Sequence, residues 1–385
     1  MSLRDAIIKQ IRTEGPLSFA AYMELALYHP ELGYYACTKR RSGHKGDFFT
    51  SVDIGSVFGE LLSKQFAQMC KLLSLDANGN LKKFDLVEAG SGSGHLTKDI
   101  LDQAEVSYQD FYKLVRCTLL DRSPSARLSH AETLKHHNVK LDRSGVELTS
   151  SSIQGVIFAN ELLDAMPVHS IVMTEEGLRE VYVDVDGENL VERLGVACQE
   201  VQTYLRRHNI RLDPGWRGEV SPVAVNWVEN AGRCLKQGFL VLVDYGYEAA
   251  ELYSKNHTSG TLASYQHHRL EIRTDRKTET PLWLTEPGSC DITAHVDLTA
   301  IQQAAERVGL QTLGILDQTY FLLGLASEDS WYKESYTDID ALKRRLGLKT
   351  LLMPGSLGST HKVMIFGRNV GTPKLDGFSF ATRMT

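Results

Sequence analysis

No two cysteines of this chain stand at CxxC spacing. The six present, Cys37, Cys70, Cys117, Cys198, Cys234 and Cys290, are scattered. That excludes a zinc ribbon or a redox motif readable from spacing, and no metal site is expected. Long apolar runs are also missing: none approaches the roughly 20 residues that cross a bilayer, so no membrane span is expected. Nor is there an excess of positive charge. The 42 Lys and Arg face 48 Asp and Glu, a net charge of −6, so nucleic acid is not the expected partner. The one basic run, Lys39-Arg40-Arg41 with Lys45, sits in a Gly/Ser loop and reads as solvated. The first residues lack a charged segment leading into an apolar one. Their early acids, Asp5 and Glu14, are unlike a transit peptide. With unpaired thiols suited to a reducing compartment, the expected location is the cytoplasm. Repeats and low-complexity tracts are absent.

What is present has the texture of a soluble α/β protein. The 385 residues, 42% hydrophobic and 23% charged, suffice for one large domain or two that share a cleft. Residues 1–80 read as helical, with Ile7, Ile8 and Ile11 at helical spacing and Val57, Phe58, Leu61, Leu62 and Phe66 on one face. From Phe84 the pattern becomes strand, glycine turn, helix, strand. The segments Phe84–Glu88, Lys113–Leu120, Gly155–Ala159 and Gly238–Val243 are short and mostly apolar, as strands buried on both faces must be. Alternation with helices predicts a Rossmann-like, doubly wound, mostly parallel sheet. An insert at about 168–220 alternates apolar and polar residues around Glu175-Glu176-Gly177 and Asp186-Gly187, which predicts antiparallel hairpins. A further insert is expected at about 248–296, and strands near 310–316 and 361–366 could close a sheet edge.

Ligands of open α/β sheets bind beyond the carboxyl ends of the strands, and these ends are polar: Glu88, Asp121, Asn160, Glu161, Asp164 and Asp244. The sharpest motif is Glu88-Ala89-Gly90-Ser91-Gly92-Ser93-Gly94, after a strand and before a helix. Its spacing is GxGxG. His95 stands where the dinucleotide fingerprint would have a glycine, which counts against a nicotinamide-dependent oxidoreductase. S-adenosylmethionine has no pyrophosphate to cradle; it offers an ammonium and a carboxylate, which need a nearby carboxylate and backbone N–H groups. Gly90, Gly92 and Gly94 permit the tight turn and close approach, and Glu88 either orients the loop or meets the ammonium. Asp121 can take both ribose hydroxyls or cap the next helix. Asn160, Glu161 and Asp164 follow the fourth strand of the core. There carboxylates can hold a guanidinium through bidentate, charge-assisted hydrogen bonds, or else tie down the loop.

The chain resembles the MidA-like methyltransferases, the group containing a mitochondrial complex I assembly factor that methylates a protein arginine. The resemblance is carried by Tyr28-His29-Pro30, Gly33-Tyr34-Tyr35, Gly46-Asp47-Phe48-Phe49-Thr50-Ser51 and the Glu88–Gly94 turn. It continues through Ser123-Pro124, Ala159–Val168, Asp244-Tyr245-Gly246-Tyr247 and Asp291–Asp297, so it runs from about residue 15 to 370. Ser91 departs from it, standing where the family usually has proline. The resemblance implies a class I methyltransferase fold with S-adenosylmethionine as cofactor, residues 1–80 as a helical lid and 81–385 as the core. It places Asp47 and Thr50 near acceptor or cofactor. The expected catalytic residues are then Asp47, Glu161 and Asp164. Thr50, Glu88, Gly90, Gly92, Gly94, Asp121 and Asn160 are expected to bind the cofactor. The expected substrate is a protein arginine, with a complex I subunit the candidate acceptor, and a homodimer is compatible with this. The alternative is a non-catalytic assembly factor that binds the cofactor and docks a partner.

Overall fold

A computed structural model describes every residue except 38–50, 74–82, 150, 267–268, 273–279, 327–338, 353–359 and 381–385. Contacts group the chain into two compact units. One comprises Met1–Phe48, Leu163–Val228 and Gly246–Ala304; the other comprises Phe49–Leu162, Glu229–Tyr245 and Ala305–Thr385. The division at residue 80 expected from the sequence does not coincide with these units. The helix Val57–Leu72 buries Phe58, Leu61, Leu62 and Phe66 in a core shared with strand residues Phe84, Leu86 and Phe158. The helices Leu3–Glu14 and Phe19–Tyr28 instead bury Ile7, Ile11, Phe19, Tyr22 and Met23 with hairpin residues Val183 and Leu190.

Among the described residues the second unit is built on seven strands: β1 (Phe84–Ala89), β2 (Val115–Leu120), β3 (Leu141–Gly145), β4 (Ile153–Asn160), β5 (Leu235–Tyr247), β6 (Gln311–Asp317) and β7 (His361–Arg368). Their order is β6-β7-β5-β4-β1-β2-β3. The five strands from β5 to β3 are parallel to their neighbours. Strand β7 runs antiparallel between β5 and β6. The apolar runs read from the sequence lie in the middle of this sheet, where both faces are covered: Val156, Ile157, Leu240 and Leu242 are fully buried. The strand order reverses between β1 and β4, which makes their carboxyl ends the crevice of the sheet. Helix α1 (His95–Ser107) follows β1, and helix α2 (Pro124–Thr133) follows β2. In α2, Pro124 occupies the first turn and the Ser123 hydroxyl accepts the Ala126 N–H.

In the first unit, Ser2 and Asp5 form a reciprocal capping box that starts the Leu3–Glu14 helix. The expected hairpins are present. Strand His169–Thr174 turns at 175–176 into Gly177–Asp186, which turns at 187–188 into Asn189–Val196. Arg217–Val220 pairs with His169–Thr174 on the other side. Leu17–Ser18 adds to the same sheet opposite Val183 and Tyr182. No helix among the described residues is long and apolar enough to cross a membrane.

Candidate active site

The turn after β1 is drawn tight by β2. Gly90 N–H and Ser91 N–H both donate to the Leu120 carbonyl, at 2.9 and 3.0 Å, and Gly94 N–H closes back on the Ser91 carbonyl at 2.8 Å. A proline at position 91 could not donate that second hydrogen bond, so serine here adds a tie to the neighbouring strand. Gly92 and Gly94 adopt φ of +52° and +85°, a region that side-chain-bearing residues enter at a cost. Their surroundings differ. A Cβ at Gly94 would come within 2.9 Å of Leu119 Cδ1, whereas a Cβ at Gly92 would meet no atom within 4 Å. Gly94 is thus a packing requirement, and Gly92 presents bare backbone to open space.

Asp121, the first residue beyond β2, faces this backbone. Its Oδ2 accepts the Gly92 N–H at 2.8 Å, and its Oδ1 accepts the Ser123 N–H at 2.7 Å. It is not the cap of α2; Ser123 is. Below the turn lies His130, fully buried on α2. Its Nε2 is 2.8 Å from the Gly92 carbonyl and its Nδ1 is 2.8 Å from Ser144 Oγ. A carbonyl only accepts, so the ring proton sits on Nε2 and the serine hydroxyl donates to Nδ1. Burial lowers the His130 pKa, consistent with this neutral ring. No spacing pattern points to His130, because its role depends on the packing of α2 against the turn.

Glu88, the fifth residue of β1, is turned toward α1. Thr97 Oγ1 donates to its carboxylate at 2.5 Å, and burial pushes its pKa up to about 8 against the hydrogen bond that favours the charged form. This geometry is the loop-orienting one of the two roles expected for Glu88. At the end of β4, Asn160 Nδ2 donates to Glu161 Oε1 at 3.2 Å, and the buried Asn160 Oδ1 has no hydrogen-bond partner among the described residues. Glu161 adopts φ of +50°, an uncommon conformation for a glutamate. Its N–H donates to the Val243 carbonyl at 2.8 Å, and its carboxylate lies 3.6 Å from His361 Nε2. Asp244 pins the segment from the neighbouring strand: Oδ2 accepts the Leu162 N–H at 3.1 Å and Oδ1 the Tyr245 N–H at 2.9 Å.

Glu88, Gly90, Gly92, Gly94, Asp121, Asn160 and Glu161 are therefore gathered in one unit, at the carboxyl ends of β1, β2 and β4. Asp164 belongs to the other unit, where it is buried and its backbone carbonyl accepts the Ala294 N–H at 3.0 Å. Asp47 and Thr50, with Gly46, lie outside the described residues. The gathered groups fit an amino-acid-bearing nucleoside. Gly92 leaves its side free for close approach, Asp121 offers carboxylate oxygens for a diol, and Asn160 Oδ1 is an acceptor that needs a donor.

The strand order, the reversed seventh strand and a glycine turn flanked by Glu88 and Asp121 define a class I methyltransferase. Residues 61–316 match the family described as "Putative S-adenosyl-L-methionine-dependent methyltransferase", and the chain belongs to that family. It is 30% identical over 346 residues to the rat protein arginine methyltransferase NDUFAF7, mitochondrial, covering 82% of this chain and 72% of that one. The human protein of the same name is 29% identical, covering 82% and 71%. A Burkholderia thailandensis protein crystallised with S-adenosyl-homocysteine superposes with a TM-score of 0.86 at 26% identity, covering 98% of this chain and 94% of that one. The chain is thus an S-adenosylmethionine-dependent methyltransferase. The same relatives correct the expected cytoplasmic location, for both are named mitochondrial. The physical basis of that expectation was weak: scattered thiols argue for a reducing milieu without singling out one compartment.

Proposed function

We propose that this methyltransferase acts on an arginine side chain of a protein. The observation that carries the reading is Glu161: a carboxylate at the end of β4, held in a left-handed backbone conformation by Val243 and oriented by Asn160. Such strain in a non-glycine residue is kept where the surroundings over-determine it, commonly at functional sites. The names of the relatives, arginine methyltransferases of proteins, supply the acceptor. In this reading Gly90, Gly92, Gly94, Asp121 and Asn160 hold the cofactor, with Glu88 bracing the turn through Thr97; Thr50 is the further residue assigned to the cofactor. The cofactor supplies an electrophilic methyl group. Glu161 orients the guanidinium by charge-assisted hydrogen bonds so that one nitrogen faces that carbon, with Asp164 and Asp47 as the further carboxylates assigned to the acceptor. A complex I subunit is the acceptor to test first, and a homodimer the assembly to look for.

The test is methyl transfer from labelled S-adenosylmethionine to a mitochondrial lysate and to arginine peptides, with Glu161→Gln and Asp164→Asn beside the wild type. Both variants should bind S-adenosyl-homocysteine as the wild type does, while transfer falls by roughly 10²-fold if orientation is the main contribution. Wild-type rates in both variants would shift the role to Asp47. Label on lysine alone would reject arginine as acceptor. Absence of any transfer by the wild type would favour the non-catalytic docking factor.

A further inference from the structure

We propose that the first unit carries a zinc site formed by His169, Glu180 and Cys198, remote in sequence from the glycine turn and not implied by the methyl-transfer reading. Each of the three offers one ligand atom, and those atoms all lie within 4.8 Å of one another. The grouping follows from strand register rather than sequence spacing. Glu180 stands opposite Ile171 in the antiparallel pair, so His169, two residues before Ile171, shares its face as a diagonal neighbour. On its other side Glu180 pairs with Gly195, three residues before Cys198.

The arrangement is a built one. Glu180 is wholly buried and His169 nearly so. His169 Nδ1 is 2.7 Å from Glu180 Oε1, and Glu180 Oε2 accepts the Cys198 N–H at 2.8 Å. An imidazole nitrogen, a carboxylate oxygen and a thiolate are the ligand types of zinc, whereas magnesium and calcium take oxygen. Three protein ligands leave a fourth tetrahedral position for water. An ion seated here requires the 2.7 Å His169–Glu180 contact to open, because ligands about 2.0–2.1 Å from one metal stand more than 3 Å apart in a tetrahedron. It also releases the Cys198 thiol proton to solvent, and the proton that His169 Nδ1 holds toward Glu180 must leave that nitrogen, passing to Nε2 or, from a doubly protonated ring, to solvent. The outer nitrogen has a carboxylate nearby: His169 Nε2 lies 3.8 Å from Glu200 Oε2, beyond hydrogen-bond range, so the carboxylate–histidine pairing that orients metal-bound imidazoles forms once the two approach. A second cluster, Glu105, His136 and His137, is the alternative metal-binding place the test must separate. It has no sulfur, and His136 is exposed.

The experiment titrates the chelator-treated full-length protein with zinc alone, by calorimetry, and with cobalt(II), by absorption spectroscopy. One equivalent should bind, and the cobalt form should show a thiolate-to-metal charge-transfer band in the near ultraviolet. Cys198→Ser should abolish that band, and Glu200→Gln, on the surface, should weaken zinc roughly 10- to 100-fold. His136→Ala should change neither. Circular dichroism verifies that each variant is folded. Should Cys198→Ser fail to fold, the band in wild type and the Glu200→Gln affinity decide the question. Cobalt binding without a charge-transfer band, loss of binding in His136→Ala, or no stoichiometric binding by the folded wild type would each overturn the site.

Discussion

Glu88 is a carboxyl on which the pH behaviour of this protein depends, beside Asp99, whose pKa burial pushes up to about 6. The Glu88 pKa stands at about 8 against an ordinary 4.5 because it is buried. Below pH 4.5 the group is protonated in both folded and unfolded chains. Between 4.5 and 8 the unfolded chain releases a proton that the folded one retains, so stability falls with rising pH, and above 8 the loss is complete. At about 1.4 kcal/mol per pKa unit the effect amounts to a few kcal/mol. Glu88→Gln keeps an oxygen for Thr97 and cannot ionise. The stability of this variant relative to wild type, from urea denaturation, is expected to rise from pH 5 to pH 9; a constant difference would mean the carboxyl titrates normally. Asp121 acts through hydrogen bonds instead. Asp121→Ala removes the acceptor of the Gly92 N–H and the oxygens assigned to the ribose. Calorimetry should show S-adenosylmethionine and its demethylated product weakened by a similar factor, about 1.5–3 kcal/mol per charged hydrogen bond lost. A loss confined to one of the two ligands would contradict the assignment, because both carry the ribose.

Among the elements, the glycine turn gives the clearest test. Gly92→Val places a branched side chain in space that is open in the free protein. The left-handed backbone costs roughly 1–2 kcal/mol, so the fold should survive while S-adenosyl-homocysteine binding falls more than tenfold, about 1.4 kcal/mol. Wild-type affinity in the folded variant would remove this loop from the cofactor site. How far the elements could be read beforehand follows from how local their causes are. Strands β1, β4 and β5 announce themselves because a strand covered on both faces must be apolar throughout, and the hairpins because Glu175-Glu176-Gly177 and Asp186-Gly187 punctuate alternating runs. The stretch Lys113-Leu114, read as strand, closes a helix instead. Leu17–Ser18 could not be assigned from sequence, since its partners lie at Val183 and Tyr182 and such pairing leaves no local trace. In the site, Glu88, Asp121, Asn160 and Glu161 were visible as polar endings of apolar strands. His130 and the tie from Ser91 were not: the first depends on which surface α2 turns to the glycine loop, the second on how closely the turn approaches the end of β2.

At the scale of the molecule, each compact unit is assembled from three separate stretches of chain. A fragment beginning at residue 81 loses Phe19, Tyr22 and Met23 from one core and Phe58, Leu61 and Phe66 from the other. Removing one buried phenylalanine side chain alone costs about 3–5 kcal/mol, a large share of the 5–15 kcal/mol that holds a typical domain. The 81–385 fragment is therefore expected to lack a cooperative thermal transition in circular dichroism. A sharp transition, with S-adenosyl-homocysteine binding retained, would show that the first 80 residues are a dispensable appendage.

The position of β7 bears on how the protein is made. Residues 361–368 follow both β5 and β6 in the chain, yet they lie between these two strands rather than at the margin of the sheet. Until they arrive, β5 presents an unpaired backbone edge, the kind of surface on which nascent chains aggregate. Synthesis halted at any codon before 361 leaves that edge bare, so the nascent chain should lean on holding chaperones until β7 has been made, however early its other strands have paired.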